Sequence, residues 1–153
     1  MNAVGIAGPS VYNHFDSKTE MLALAMRRGS DFLRVRTAEV YRRASTRAEA
    51  ERGLASAYIS YAIEHPEIIE LLMSELAHLP EDDQLAAGLA QRELVDEWVH
   101  VRSAADDRAE AVGRVLVHAA HGVINDAVRT PRLRRMPGLA THLESLTLRI
   151  LAI

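Results

Sequence analysis

The sequence predicts an all-helical protein, on three observations. Ala, Leu, Arg and Glu, all strong helix formers, are frequent, whereas aromatic residues make up only 5% of the 153 positions. Apolar residues recur at spacings of three and four over long segments, and no strand-like alternation appears. Proline, glycine and capping signals punctuate these segments at intervals that suit six or seven helices. A hydrophobic fraction of 48% and a charged fraction of 25% are ordinary for a globular chain. The length suits one domain, or one domain with a small appendage, and is enough to bury a real core.

Taken in order, Gly5, Gly8 and Pro9 keep the start irregular to about residue 8. A short helix over 8–14 follows, with Pro9 in its first turn, where its missing N–H costs nothing. Ser17 and Glu20 then form a capping box that opens a long helix over 18–43. Its expected apolar face is Met21, Leu24, Ala25, Phe32 and Val35, with Leu22, Met26, Leu33 and Val40 beside it. Thr46 and Glu49 repeat the capping box before a helix over 47–64. That helix is apolar on two sides, Leu54, Tyr58 and Tyr61 on one and Ala55, Ile59 and Ile63 on the other, so it is expected at the centre of the fold.

"HPE" ends this helix, and Pro66 can begin the next, expected over 67–78 with Ile68, Ile69, Leu71, Leu72, Met73 and Leu76. Pro80 and the acidic run Glu81, Asp82 and Asp83 suit the start of a helix over 81–102, where negative charge offsets the helix dipole. A helix over 105–128 follows, with a nearly apolar middle, "AVGRVLVHAAHGVIN". Residues 129–138, "RTPRLRRMPG", read as a loop. The last helix, over 138–152, carries Leu139, Leu143, Leu146, Ile150 and Ile153, a narrow stripe near heptad spacing.

Composition removes several function classes. With no cysteine there is no disulfide, thiolate nucleophile or cysteine metal site. No Gly-rich phosphate loop, nucleophilic-serine elbow or His-Glu metal motif is present, so an enzyme is not expected, nor is a cofactor. No apolar run reaches the length of a membrane span, and the N-terminus does not read as a signal peptide. The expected location is the cytoplasm, away from membranes. Charge is unevenly spread. Residues 1–53 hold nine basic against six acidic residues, and residues 54–153 hold nine against fifteen. A basic end on an acidic body fits a first segment that meets a polyanion.

That first segment is "VGIAGPSVYNHFDSK", residues 4–18. A short helix followed by a tight turn into a long helix is how a recognition helix is mounted in a helix-turn-helix protein. Ser10, Tyr12, Asn13, His14 and Lys18 supply polar groups at helical spacing or at the next helix start. By spacing alone the stretch also reads as a polar surface turn.

The residue order narrows this. Gly5, Ile6, Val11, Tyr12, His14, Phe15, Ser17 and Lys18 fill, in order, eight positions of the pattern that ends the helix-turn-helix of TetR-type transcriptional regulators. The stretch closely resembles that family, and the remaining helix order is similar to its ligand-binding domain. The resemblance implies a partial DNA-binding domain over 1–26 and a ligand-binding and dimerisation domain over 27–153. It implies that Gly8, Pro9, Ser10 and Asn13 face base edges or the adjacent backbone. Tyr12, His14 and Lys18 would hold phosphates, which fix register and carry little sequence information. Val11 and Phe15 would be core. The implied function is a ligand-responsive repressor that binds operator DNA as a homodimer and is released by a small effector.

Two departures stand out. Ala7 occupies a place where the family often has a Ser or Thr cap. The family also sets two further helices ahead of this stretch, whereas six residues precede Ala7. An isolated helix of seven residues is not stable, so the chain as written is expected to bind DNA poorly. The alternative is a ligand-binding and dimerisation module that no longer binds DNA by itself.

Within the body, Arg114, His118, His121 and Asn125 recur at four, three and four along one helix and form a polar stripe. They read either as a solvent-facing or interface stripe or as polar groups lining an apolar pocket. The His118–His121 spacing would also admit a metal, but no carboxylate pattern completes a ligand set, so no metal site is expected. Tyr58, Tyr61, Met73 and Trp98 are candidate pocket walls, or plain core, together with His118 and His121 as candidate polar groups. An apolar pocket implies a lipophilic effector such as an acyl chain, a steroid-like molecule or an aromatic. The four arginines at 129–135 could grip a phosphate or coenzyme A moiety, or form a solvated loop.

Overall fold

The structure is a computed structural model and describes residues 18–102 and 107–153. Among these residues there are seven α-helices, one 3-10 turn and no strand. The helices are α1 (Lys18–Arg43), α2 (Arg47–Glu64), α3 (Pro66–Ser74), α4 (Glu81–Arg102), α5 (Asp107–Arg129), α6 (Pro131–Arg134) and α7 (Leu139–Leu151), with the 3-10 turn Leu76–His78 between α3 and α4. Gly8, Pro9, Ser10, Tyr12, Asn13 and His14 lie outside the described residues, as do Ser17 and the Lys18 side chain, so the short helix at 8–14 and the first capping box stand as sequence expectations.

The second capping box forms as the sequence suggests, with one shift. Thr46 Oγ1 accepts from the Glu49 backbone N–H at 3.2 Å, and Glu49 Oε2 accepts from the Ser45 N–H at 2.7 Å rather than from that of Thr46. The α2 helix then runs through the middle of the fold, packed on α1, α3, α4, α5 and α7. Leu54, Ala55, Tyr58, Ile59, Tyr61 and Ala62 are buried on its two apolar sides. They join Val95, Trp98 and Val99 of α4, Val117, Ala120, Ile124 and Val128 of α5, and Leu139, Leu143 and Leu151 of α7 in one core. Arg114 ties α5 to α4 through Asp96 at 2.6 Å, and Arg129 ties α5 to α3 through Glu70 at 2.5 and 3.2 Å.

The structure corrects four details. The α1 helix turns a different face inward: Phe32 and Val35 are 36% and 63% exposed, while Met26, Gly29 and Thr37 are buried. The expected face was weighted by side-chain size, but α1 approaches α2 closely at the small residue Gly29, and this sets its rotation. The expected 67–78 helix breaks at Glu75 (φ −110°, ψ −8°), then tightens into the 3-10 turn. Leu79 is extended (ψ 159°), as a residue before proline tends to be, and so the chain cannot run on into α4 as helix. The expected loop at 129–138 contains α6, because Pro131 fits a first helical turn; Gly138 (φ 76°) then supplies the left-handed turn into α7. Finally, α7 buries Leu139, Leu143, Thr147 and Leu151 at strict four-residue spacing, and leaves Leu146 and Ile153 exposed.

Candidate functional site

The inward face of α1 does not seal against the rest of the body. A cavity of about 610 Å³ lies beneath it, bordered also by residues of α2, α3, α4 and α5. Met26, Gly29, Leu33, Thr37 and Tyr41 of α1 form one wall. Ile68, Ile69, Leu72 and Met73 of α3 and Ala87, Ala90 and Leu94 of α4 form the opposing sides, and Tyr58, Tyr61, His121 and Asn125 border it from α2 and α5. Its size and mixed lining are those of a small-molecule site: mostly apolar, with a few placed polar groups.

Local packing explains how these groups are held. Tyr58 and His121 stack with ring centroids 4.4 Å apart and planes 16° apart. Trp98 meets both edge-on, at 6.2 Å from Tyr58 and 4.6 Å from His121. Such aromatic contacts fix ring orientation beyond what area burial provides. The Tyr58 hydroxyl donates to Asn125 Oδ1 at 2.9 Å, one helical turn beyond His121. Burial raises Tyr58 to about 12, opposed by the Asn125 bond, and burial likewise raises Tyr61 to about 12. Both phenols therefore stay protonated. Burial pushes His121 down to about 3, with the nearby His118 acting in the same direction, so its imidazole is neutral at ordinary pH. His121 Nε2 has no hydrogen-bond partner among the described residues. An unpartnered buried polar atom costs about 1–3 kcal/mol, and Thr147 Oγ1 in the core is in the same state.

Charges gather toward the outside. Asp31, Arg34, Glu93 and Glu97 all border the cavity and are exposed. Arg34 donates to Asp31 Oδ1 at 3.0 Å. Tyr41 ties α1 to α4 by donating to the Glu97 main-chain carbonyl at 2.9 Å, and burial raises its phenol further from ionisation.

Of the six residues expected at a pocket, Tyr58, Tyr61, Met73 and His121 border this cavity. The other two are placed elsewhere. Trp98 lies behind Tyr58 and His121 as buried core, because the α4 face that carries it also carries the buried Val95 and Val99. His118 is exposed and borders a shallow groove with Ala111, Arg114 and Val115. At about 100° per residue Arg114, His118, His121 and Asn125 lie within about 60° of one another around α5, but only the part of that side from His121 onward borders the cavity. The stripe therefore begins in solvent and ends in the cavity. Asn125, seen in the sequence only as part of that stripe, belongs to the site. Gly29 and Thr37 also border the cavity, and neither residue type signals a wall in the sequence. None of the arginines at 129–135 borders the cavity. Among the described residues no group of acidic and histidine side chains is arranged to hold a metal ion, and no helix is long and apolar enough to cross a membrane.

The chain matches no protein-family model and no curated protein.

Proposed function

We propose that this chain is the effector-binding and dimerising body of a TetR-like transcriptional regulator, carrying part of its DNA-reading motif over residues 8–18 and acting in the cytoplasm without catalysis. The observation that carries the reading is the position of the cavity. One of its walls is α1, the helix that continues directly from that motif. An effector in the cavity touches Met26, Leu33 and Thr37, and thereby biases where α1 sits relative to α4 and α5. Two recognition helices grip one DNA face only when spaced by about one helical turn, roughly 34 Å. A shift of α1 changes that spacing, so effector and DNA oppose each other reciprocally. In this reading Ser10 and Asn13 meet bases, and Tyr12, His14 and Lys18 meet phosphates.

The dimer would form on α5 and α7. Both pack on the core and leave apolar residues exposed, Val112 and Val115 on α5 and Leu146 on α7, with Ile153 just past the end of α7 and the small residues Ala111, Ala119 and Gly122 of α5 alongside. Exposed apolar surface of this kind is what a symmetric helical interface would cover.

The test is fluorescence anisotropy on duplex DNA from the region upstream of the chain's own reading frame. The chain as given and a version carrying two amphipathic helices ahead of residue 1 are compared. Salt-dependent, sequence-selective binding by the extended version, weakened by lipophilic extract, is the expected result. Binding of extract by a dimer that ignores DNA in both versions would instead establish a ligand-binding module acting through a partner.

A further inference from the structure

If the cavity is an effector site, the hydrogen-bonding groups left open inside it define what it accepts. Four polar side chains on its lining are more than nine-tenths buried: Thr37, Tyr58, Tyr61 and His121. Two of them are spent or closed off. The Tyr58 hydroxyl donates to Asn125, and His121 Nε2 is sealed with almost no accessible surface. Tyr61 and Thr37 differ. They are 3% and 8% exposed, and among the described residues neither hydroxyl has a hydrogen-bond partner. Neither oxygen is among the sealed atoms, so each keeps a small accessible surface.

The Tyr61 hydroxyl stands against Gly29, so close that a Cβ there would collide with it, and Ile68 lies alongside. Gly29 and Ile68 both border the cavity, and neither borders the groove on the other side of Tyr61. Thr37 borders the cavity further along α1. Gly29 and Thr37 are separated by a rise of about 12 Å. Leu33 lies midway between them, and the facing walls bring Ile69, Leu72 and Leu94. Hydrogen bonds of roughly 3 Å at each end place two ligand oxygens on the order of 10 Å apart. A phenol or a threonine hydroxyl both donates and accepts, so each takes a hydroxyl or a carbonyl.

We propose that the cavity takes an elongated lipophile with an oxygen at each end, a diol or hydroxyketone, held by the Tyr61 hydroxyl at one end and the Thr37 hydroxyl at the other, its apolar frame lying across Leu33. Tyr61 belongs to α2 and Thr37 to α1, so such a molecule bridges the two helices.

The full chain at pH 7 is titrated with N-phenyl-1-naphthylamine, an uncharged fluorescent lipophile. The bound probe is displaced with 4,4′-dihydroxybiphenyl, a rigid frame of suitable length, or with 4-hydroxybiphenyl or biphenyl. The dihydroxy compound is expected to displace it at concentrations at least about tenfold below the monohydroxy one. Tyr61→Phe and Thr37→Val, which each remove one hydroxyl and little volume, are each expected to weaken the dihydroxy compound about tenfold. Both are expected to leave the affinities for biphenyl and the probe, which themselves report that the variants are folded. Equal displacement by the mono- and dihydroxy compounds, or dihydroxy affinity unchanged in either variant, would overturn the assignment and leave the effector-site reading standing. No saturable binding of the probe or of any biphenyl would overturn the effector site itself, and this assignment with it.

Discussion

At the scale of single residues, His121 best shows what the chain's chemistry depends on. The sequence places it on a nearly apolar helix, which marks it as unusual without saying where it points. Its burial between Tyr58 and Trp98 is a property of three helices together. The consequence is a defined dependence on acid. The folded chain resists protonating His121 down to about pH 3, whereas the free side chain protonates near 6.5. Below 6.5 the unfolded chain binds a proton that the folded chain refuses, so stability falls as pH drops through that value; above it His121 contributes no slope. The slope approaches about 1.4 kcal/mol per pH unit. Urea denaturation at pH 7.5 and 5.5 is expected to show a larger loss for the parent than for His121→Phe, in a range above most carboxylate titration. Equal losses would mean that the imidazole is solvated and protonates in the folded state.

At the scale of elements, helix positions were legible because their signals are local. Thr46 with Glu49, Pro66, Pro80 and Gly138 each act within one turn of themselves, and the helix ends fall near them. Helix rotation was less legible. Apolar residues on both sides of α2 leave no alternative to a central place, whereas the large apolar residues of α1 do not mark its inward face. Its approach to α2 depends on two glycines. A Cβ on Gly29 would lie 2.1 Å from Tyr61 Oη and 3.3 Å from Cζ, and one on Gly53 would lie 2.7 Å from Val40 Cγ1. Tyr61 is itself held by stacking on Phe32 at 5.4 Å and by burial, so it cannot simply swing away. Gly29→Ala is expected to cost about 1–3 kcal/mol in urea denaturation despite the better helix propensity of alanine. Adding Tyr61→Phe, which removes the colliding oxygen, is expected to recover most of that loss. A Gly29→Ala chain as stable as the parent would show that α1 and α2 do not meet this closely.

At the scale of the whole molecule, the outer faces of α5 and α7 bear on assembly. Val115 is 68% exposed and Ile153 83%, so changing them leaves the core of the monomer untouched. Val115→Arg is expected to leave far-UV circular dichroism and cavity binding unchanged and to shift sedimentation from dimer to monomer at micromolar concentration. A parent chain that already sediments as a monomer there would remove the basis for symmetric DNA binding. The heptad-like stripe on α7 could not decide this beforehand. Of its five residues, Leu139 and Leu143 are buried inside the subunit, Ile150 packs partly against the core, and Leu146 and Ile153 are left outside.

The sequence by itself determined the all-helical class, the approximate ends of the helices and the central place of α2. These rest on periodicity, caps and residue order, all of which act along the chain over a few positions. Only the tertiary structure decided which way α1 faces, that a cavity remains beneath it, and which polar residues reach it. His121 and Asn125 enter the cavity while His118, three residues earlier, does not, and Trp98 supports the site from behind without bordering it. Such choices depend on how far apart helices stand, and that distance is set by contacts such as Gly29 with Tyr61 between residues 32 positions apart in the chain.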